Sequence, residues 1–342
     1  FSATGGEWSF YGPLIVSIYV LRIVIEGTER RLLADFPKYS IYSNNTNKLI
    51  PEIFDSESRI LKLLRSFVPF KKLTLLFGMF SRSENTLIKK ALISCFCYFY
   101  KVNLDESTKS ETKDFRSFND FFTRQLKPKS RPINPDTRVI TSPVDGMIMQ
   151  LGKLKEGALI QAKGFSYDIG DLIQDRVLED TFKNGFYITI YLAPINYHRI
   201  HFPFGGTIEK TKYLKGNLYG VNARSVRRIN SLYSKNERTL CSVKSKNLNY
   251  CLVNIGAAMV GSIVPFWNKE INPLREDLVS LWNQGPDEEI RTIKKGEELG
   301  YFQMGSTVIL LLSASLEVDK NFLYESKAVK FGEELINLSK IR

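Results

Sequence analysis

The sequence predicts an α+β protein, with a mostly antiparallel β core and N-terminal amphipathic helices packed on one side of it. Three observations predict this. After Pro135, β-branched and aromatic runs bounded by Gly, Asn or Pro recur at 185–193, 207–214, 252–263 and 308–313, as strands do. No regular strand–helix alternation separates these runs, which disfavours a doubly wound parallel sheet. Residues 59–100 instead place Leu, Ile and Phe at helical spacing, with Lys and Arg between them. The chain accordingly divides into an extension at 1–58, a helical region at 59–135 and a β-rich region at 136–342.

The 342 residues, 43% of them hydrophobic, carry a net charge of +12, which suits an anionic partner. No basic run resembles a nucleic-acid arm, and the cations sit beside Phe, Leu and Tyr, which fits a lipid surface better. The chain begins at Phe1 rather than Met, so an upstream segment carrying any targeting peptide is expected. Residues 8–25 are apolar but short of the roughly 20 residues a spanning helix needs, so anchor and interfacial segment both stay open. A polar linker is expected at 37–58. Between Leu61 and Met79 no acidic residue interrupts the basic amphipathic pattern, which tilts that region towards a membrane interface over an ordinary core-facing helix. Ser117 caps a further helix, with Asp120 placed to cap back, bearing Phe118, Phe121, Phe122 and Leu126 and ended by Pro128 and Pro132. Cys95, Cys97, Cys241 and Cys251 read as buried thiols; neither a C-x-x-C pair nor a neighbouring histidine suggests zinc.

The chemistry-bearing residues are few. Gly305-Ser306 joins two apolar β runs. A serine hydroxyl beside a glycine carbonyl permits acyl transfer from nitrogen to oxygen within the chain, an intramolecular and therefore favoured encounter. The plain alternative is a Gly-Ser turn. The two histidines, His198 and His201, stand three apart and would share a helix face or flank a tight turn. Without an H-E-x-x-H frame or a third ligand, a general-base role is preferred to a metal site. Asp145, in Ser142-Pro143-Val144-Asp145-Gly146, reads as an exposed turn that is either ordinary or placed to orient a histidine.

Several ordered segments together carry a family resemblance. They are Ser142-Pro143-Val144-Asp145-Gly146, Tyr197-His198-Arg199-Ile200-His201, the glycine-rich runs from Gly216 and Gly256, Asn236-Glu237-Arg238, and Gly305-Ser306-Thr307. In order and spacing they resemble the phosphatidylserine decarboxylases, pyruvoyl enzymes that cut their own chain; Phe118–Lys127 with Arg131-Pro132-Ile133 resembles them too. The resemblance implies that Ser306 is the nucleophile and becomes the pyruvoyl group, that His201 is its base, oriented by Asp145, and that His198 serves the substrate carboxylate or the decarboxylation. It implies a β chain (1–305) and an α chain (306–342) that stay associated, because one strand plus a tail buries no core alone; a homodimer of such pairs stays open. It implies decarboxylation of phosphatidylserine to phosphatidylethanolamine through a Schiff base to the pyruvoyl group, at an anionic phospholipid membrane. Metal and pyridoxal phosphate are not expected, nor is nucleic acid. The mitochondrial inner membrane and the endoplasmic reticulum are both compatible locations. Arg199 is the candidate for holding the substrate phosphate. Two rival readings are a serine autoprotease, weakened by the lack of G-x-S-x-G, and a basic membrane-binding scaffold.

Overall fold

The structure, a computed structural model, describes residues 78–100, 102–162, 165–221, 223–246, 248–257, 263–268, 275–303, 306–316, 318–319 and 321–340. The expectations for 8–25, 37–58 and 59–77 therefore lie outside the described residues. Among the described residues the helices are α1 (Thr86–Phe99), α2 (Phe118–Phe122), α3 (Ile169–Ile173), α4 (Arg176–Phe182), α5 (Ala223–Arg228), α6 (Leu232–Lys235) and α7 (Arg275–Gln284). The strands are β1 (Val139–Thr141), β2 (Gly146–Lys153), β3 (Ala158–Ala162), β4 (Phe165–Asp168), β5 (Phe186–Leu192), β6 (Arg199–His201), β7 (Gly206–Leu214), β8 (Arg238–Lys244), β9 (Tyr250–Gly256), β10 (Ile263–Pro265), β11 (Thr292–Ile293), β12 (Glu298–Phe302), β13 (Ser306–Leu312), β14 (Ala328–Val329) and β15 (Glu334–Asn337).

Local chemistry sets the helix starts. Asn85 Oδ1 accepts the Leu87 and Ile88 N–H groups at 3.0 and 3.3 Å, so an asparagine caps α1. Ser117 Oγ accepts Asp120 N–H at 3.2 Å and caps α2. The Asp120 carboxylate reaches back one residue further than expected, to Arg116 N–H at 2.8 Å. Helix α2 ends at its C-cap Thr123, before Leu126 and both prolines, where the backbone leaves helical geometry (φ −92°, ψ 23°).

Eight strands form one antiparallel sheet in the order β11-β7-β8-β9-β13-β5-β2-β14. The α+β reading is correct. Strand β13 is central, and both of its faces are buried. Val308, Leu310 and Leu312 join Ile188, Ile190, Leu252, Phe202 and Phe302 on one side. Ile309 and Leu311 join Val253, Ile255, Leu172, Phe182 and Leu232 on the other. Two-sided burial explains why this strand is a continuous apolar run rather than an alternating one. Each such side chain contributes about 1.5–3 kcal/mol. The face bearing Ile309 is covered by α3, α4 and α6; the face bearing Val308 meets the small sheet β10-β12-β6 and Trp282 of α7.

Two expectations need correction. Cys241 and Cys251 are buried thiols, but Cys95 and Cys97 are only half-buried, since a helix turns residues two apart to different sides. The segment after Ser306 is also more than one strand and a tail. It supplies β13 to the centre of the large sheet, β14 to its edge and β15 to a separate pair with β1.

Candidate active site

Ser306 heads β13, where its backbone stands opposite Leu192 at the end of β5 and Gly256 at the end of β9. Met304, Gly305 and the side chain of Ser306 lie outside the described residues. The backbone on either side is nonetheless placed. Strand β12 runs up to Phe302, whose N–H donates to the His198 carbonyl at 3.0 Å. Beyond Leu192 the chain turns through Ala193–Asn196, closed by Asn196 Oδ1 accepting Ala193 N–H at 2.7 Å, and delivers Tyr197 and His198. The sheet thus brings the histidine segment to the same end of the strands as Ser306.

The two histidines lie neither on a helix nor on one face. His201 closes strand β6 and His198 precedes it. In extended backbone, residues three apart point to opposite sides. His198 is fully buried, stacks on Phe122 with centroids 4.1 Å apart, and has no hydrogen bond of good geometry at either ring nitrogen. The Ala193 and Pro194 carbonyls lie beside the ring without reaching that geometry. Burial first, then the neighbouring Arg124 charge, pushes His198 down to about 3. Arg124 is itself buried and donates to Ile195 O at 3.1 Å.

His201 is buried but satisfied. Its Nδ1 lies 3.0 Å from Gly296 O and its Nε2 3.0 Å from Tyr197 Oη. The Phe331 ring stacks on it at 3.7 Å and 14°. Burial is the main reason that its pKa falls to about 4.

Asp145 is buried, not on an exposed turn. Gly146 makes this possible, because any Cβ there would sit 2.5 Å from Tyr191 O, where β2 meets β5. The carboxylate does not bond to His201. It accepts Arg131 Nη2 at 2.7 Å, Arg131 Nε at 3.1 Å and Phe331 N–H at 2.8 Å. Arg131 also bridges to Glu106 at 2.8 Å. Arg199 is engaged as well, donating twice to Glu298 at 2.7 and 2.9 Å and once to Thr123 O.

Four residues with a part in this site carried no role in the sequence reading. Tyr197 was visible only as a histidine's neighbour, and Arg131 only as part of a structural segment. Gly296 was one glycine among 22. Phe331 had no local signal at all. Among the described residues no group of three or more His, Cys, Asp or Glu side chains could hold a metal ion, and no helix is long and apolar enough to cross a membrane.

Comparison with known proteins matches residues 118–337 to the phosphatidylserine decarboxylase family profile. A phosphatidylserine decarboxylase proenzyme of Shewanella putrefaciens is 37% identical over 284 residues, 81% of this chain and 96% of that relative. The proenzyme of Citrobacter koseri is 35% identical over 275 residues, 80% of this chain and 85% of the relative. That of Psychrobacter arcticus is 37% identical over 279 residues, 81% and 98% respectively. The protein is by class an enzyme, a carboxy-lyase. The chain belongs to the phosphatidylserine decarboxylase family.

Proposed function

We propose that this protein decarboxylates phosphatidylserine to phosphatidylethanolamine, using a pyruvoyl group that it makes from its own Ser306. The observation that carries the reading is the placement of Ser306 at the head of the central strand, beside the strand ends that lead into the histidine segment. In self-cleavage His201 takes the Ser306 hydroxyl proton while Oγ attacks the Gly305 carbonyl carbon. The peptide C–N bond breaks and an ester forms. Loss of the Ser306 Cα proton then forms a Cα=Cβ double bond, breaks the Cβ–Oγ bond and releases the Gly305 carboxylate, leaving a dehydroalanine that tautomerises to an imine. Water replaces the remaining nitrogen, which leaves as ammonia. Asp145 supports His201 from behind Phe331.

The residues present fit such a group. The His198 imidazole is fully buried without a good hydrogen bond, as expected of a side chain kept for reaction rather than packing, and the carbonyl of the same residue takes the Phe302 N–H at the end of the strand before the junction. The pyruvoyl ketone would accept the substrate amine and draw off the electron pair as carbon dioxide leaves. His198, neutral at physiological pH, would hold or move a proton at the reacting carbon, and the adjacent Arg124 would favour an anionic substrate. The α chain would stay in place after cleavage, because removing it would take out the central strand. Exposed Met79, Phe80 and Leu87, with exposed Lys90 on α1, support a surface facing an anionic phospholipid membrane.

The test is the intact mass of the purified chain beside Ser306→Ala. Wild type should give fragments 1–305 and 306–342, the smaller lighter by one ammonia than a serine-started peptide, while the variant stays whole. A free serine at the new terminus would make the protein a plain autoprotease. An uncut, folded wild type would remove the catalytic group from this reading.

A further inference from the structure

The two contacts of His201 define its chemistry. A carbonyl oxygen only accepts, so the nitrogen facing Gly296, Nδ1, carries the hydrogen. A neutral imidazole has one N–H, so Nε2 is the lone pair, and the Tyr197 hydroxyl donates to it. The Gly296 carbonyl is held firmly. Gly296 has φ +82°, a Cβ there would lie 2.3 Å from Ile133 Cδ1, and its N–H donates to Phe202 O at 2.8 Å. Tyr197 is buried and stacks along the imidazole at 22°. The Asp145 carboxylate, by contrast, is taken up by Arg131 and the Phe331 backbone.

The geometry points to Gly296 and Tyr197, rather than Asp145, as the positioning residues that set the tautomer and aim of His201. Asp145 acts at one remove, by seating Phe331 against the ring. This rests on the reading of His201 as the base of self-cleavage. The lone pair that takes the serine proton is held in advance by Tyr197, and it exchanges that hydrogen bond for the serine hydroxyl when the reaction begins. The charged groups around the ring are Arg199 on its own strand, Glu298 opposite in β12, and Lys295 and Glu297 flanking Gly296; beyond Phe331 stand Asp145, Arg131 and Lys330.

The experiment uses the full chain carrying Ser306→Ala, labelled with 15N in histidine alone. The chain has two histidines, so two ring systems appear, and His198→Gln assigns them. His201 is expected with a protonated Nδ1 and a bare Nε2. Tyr197→Phe should move the Nε2 resonance towards that of an unbonded imidazole nitrogen. It should also raise the His201 pKa by roughly half a unit to one unit, since a donor to the neutral form is lost. Asp145→Asn should keep the tautomer and shift the resonances less. An Nε2-protonated ring, or a larger response to Asp145→Asn than to Tyr197→Phe, overturns the assignment. If Asp145→Asn does not fold, the parent tautomer and the Tyr197→Phe shift decide. None of these spectra needs self-cleavage, so failure of the base reading shows separately, as a His201→Gln chain that retains Ser306 and still cuts.

Discussion

The His198 corner and the His201 corner hold the same side chain at similar burial and treat it in opposite ways. His201 has a partner for each nitrogen and an aromatic ring against its face. His198 has Phe122 against its face and no good hydrogen bond at either nitrogen. An unsatisfied buried polar group costs about 1–3 kcal/mol, and folded proteins keep few of them. The difference teaches that burial alone does not define a role. A satisfied imidazole is held in one geometry, which suits the base proposed for Ser306, whereas an unsatisfied one keeps its hydrogen-bonding capacity, which suits the substrate role proposed for His198.

The largest expected effect would separate the two corners outright. His201→Gln should slow self-cleavage on the order of 10²- to 10⁴-fold, as loss of a general base does. His198→Gln should still cut, within about tenfold of wild type, yet lose on the order of 10²-fold or more in carbon dioxide released from carboxyl-labelled phosphatidylserine. Equal loss of cleavage in both variants would merge the corners into one function.

Next in size is the ion pair behind the His201 corner. Arg131 and Asp145 are each 7% exposed at the side chain. Arg131→Met strands a buried carboxylate and should cost about 3–5 kcal/mol, read as a lower denaturation midpoint of the Ser306→Ala chain. A loss under ~1 kcal/mol would mean the pair is solvated and does not anchor Phe331.

Acid sharpens the comparison further. Both imidazoles titrate in the folded chain below their ordinary 6.5, near 3 for His198 and near 4 for His201. Between those values and 6.5 the unfolded chain binds protons that the native chain refuses. Stability from this source is complete above pH 6.5 and is lost as pH falls towards 4 and then 3, at about 1.4 kcal/mol per pH unit for each histidine. Thermal melts of Ser306→Ala across this window should steepen towards acid, and His198→Gln should remove part of the slope. A slope unchanged by that substitution would mean that His198 protonates freely in the fold.

The smallest effect is packing. Phe331→Leu keeps the backbone bond to Asp145 but reduces the apolar cover on His201. It should cost about 1 kcal/mol and leave His198 resonances in place.

Much of this was legible in the chain itself. The run 308–313 announced a strand, Ser117 announced a cap, and Gly305-Ser306 offered a junction where a hydroxyl meets an open carbonyl, although Gly261-Ser262 offers the same dipeptide and only the ordered family segments favour Ser306. Asp145 was found but misplaced. Its Pro-Val-Asp-Gly setting reads as a surface turn, and only the close approach of β2 to β5 buries it. The partners of His201 were not legible. Tyr197 is near in sequence, but Gly296 and Phe331 come from distant segments, and nothing local states which carbonyl or ring will face an imidazole.

By itself, then, the sequence determined what is local: backbone periodicity, caps, strand runs and the inventory of reactive groups, because these depend on residues within a few positions of one another. The tertiary structure alone decided which nitrogen of His201 meets which partner, that Asp145 answers to Arg131, and that the segment after Ser306 is woven through two sheets. Each of these depends on distances of about 3 Å between residues far apart in the chain, which are set only when the whole core packs.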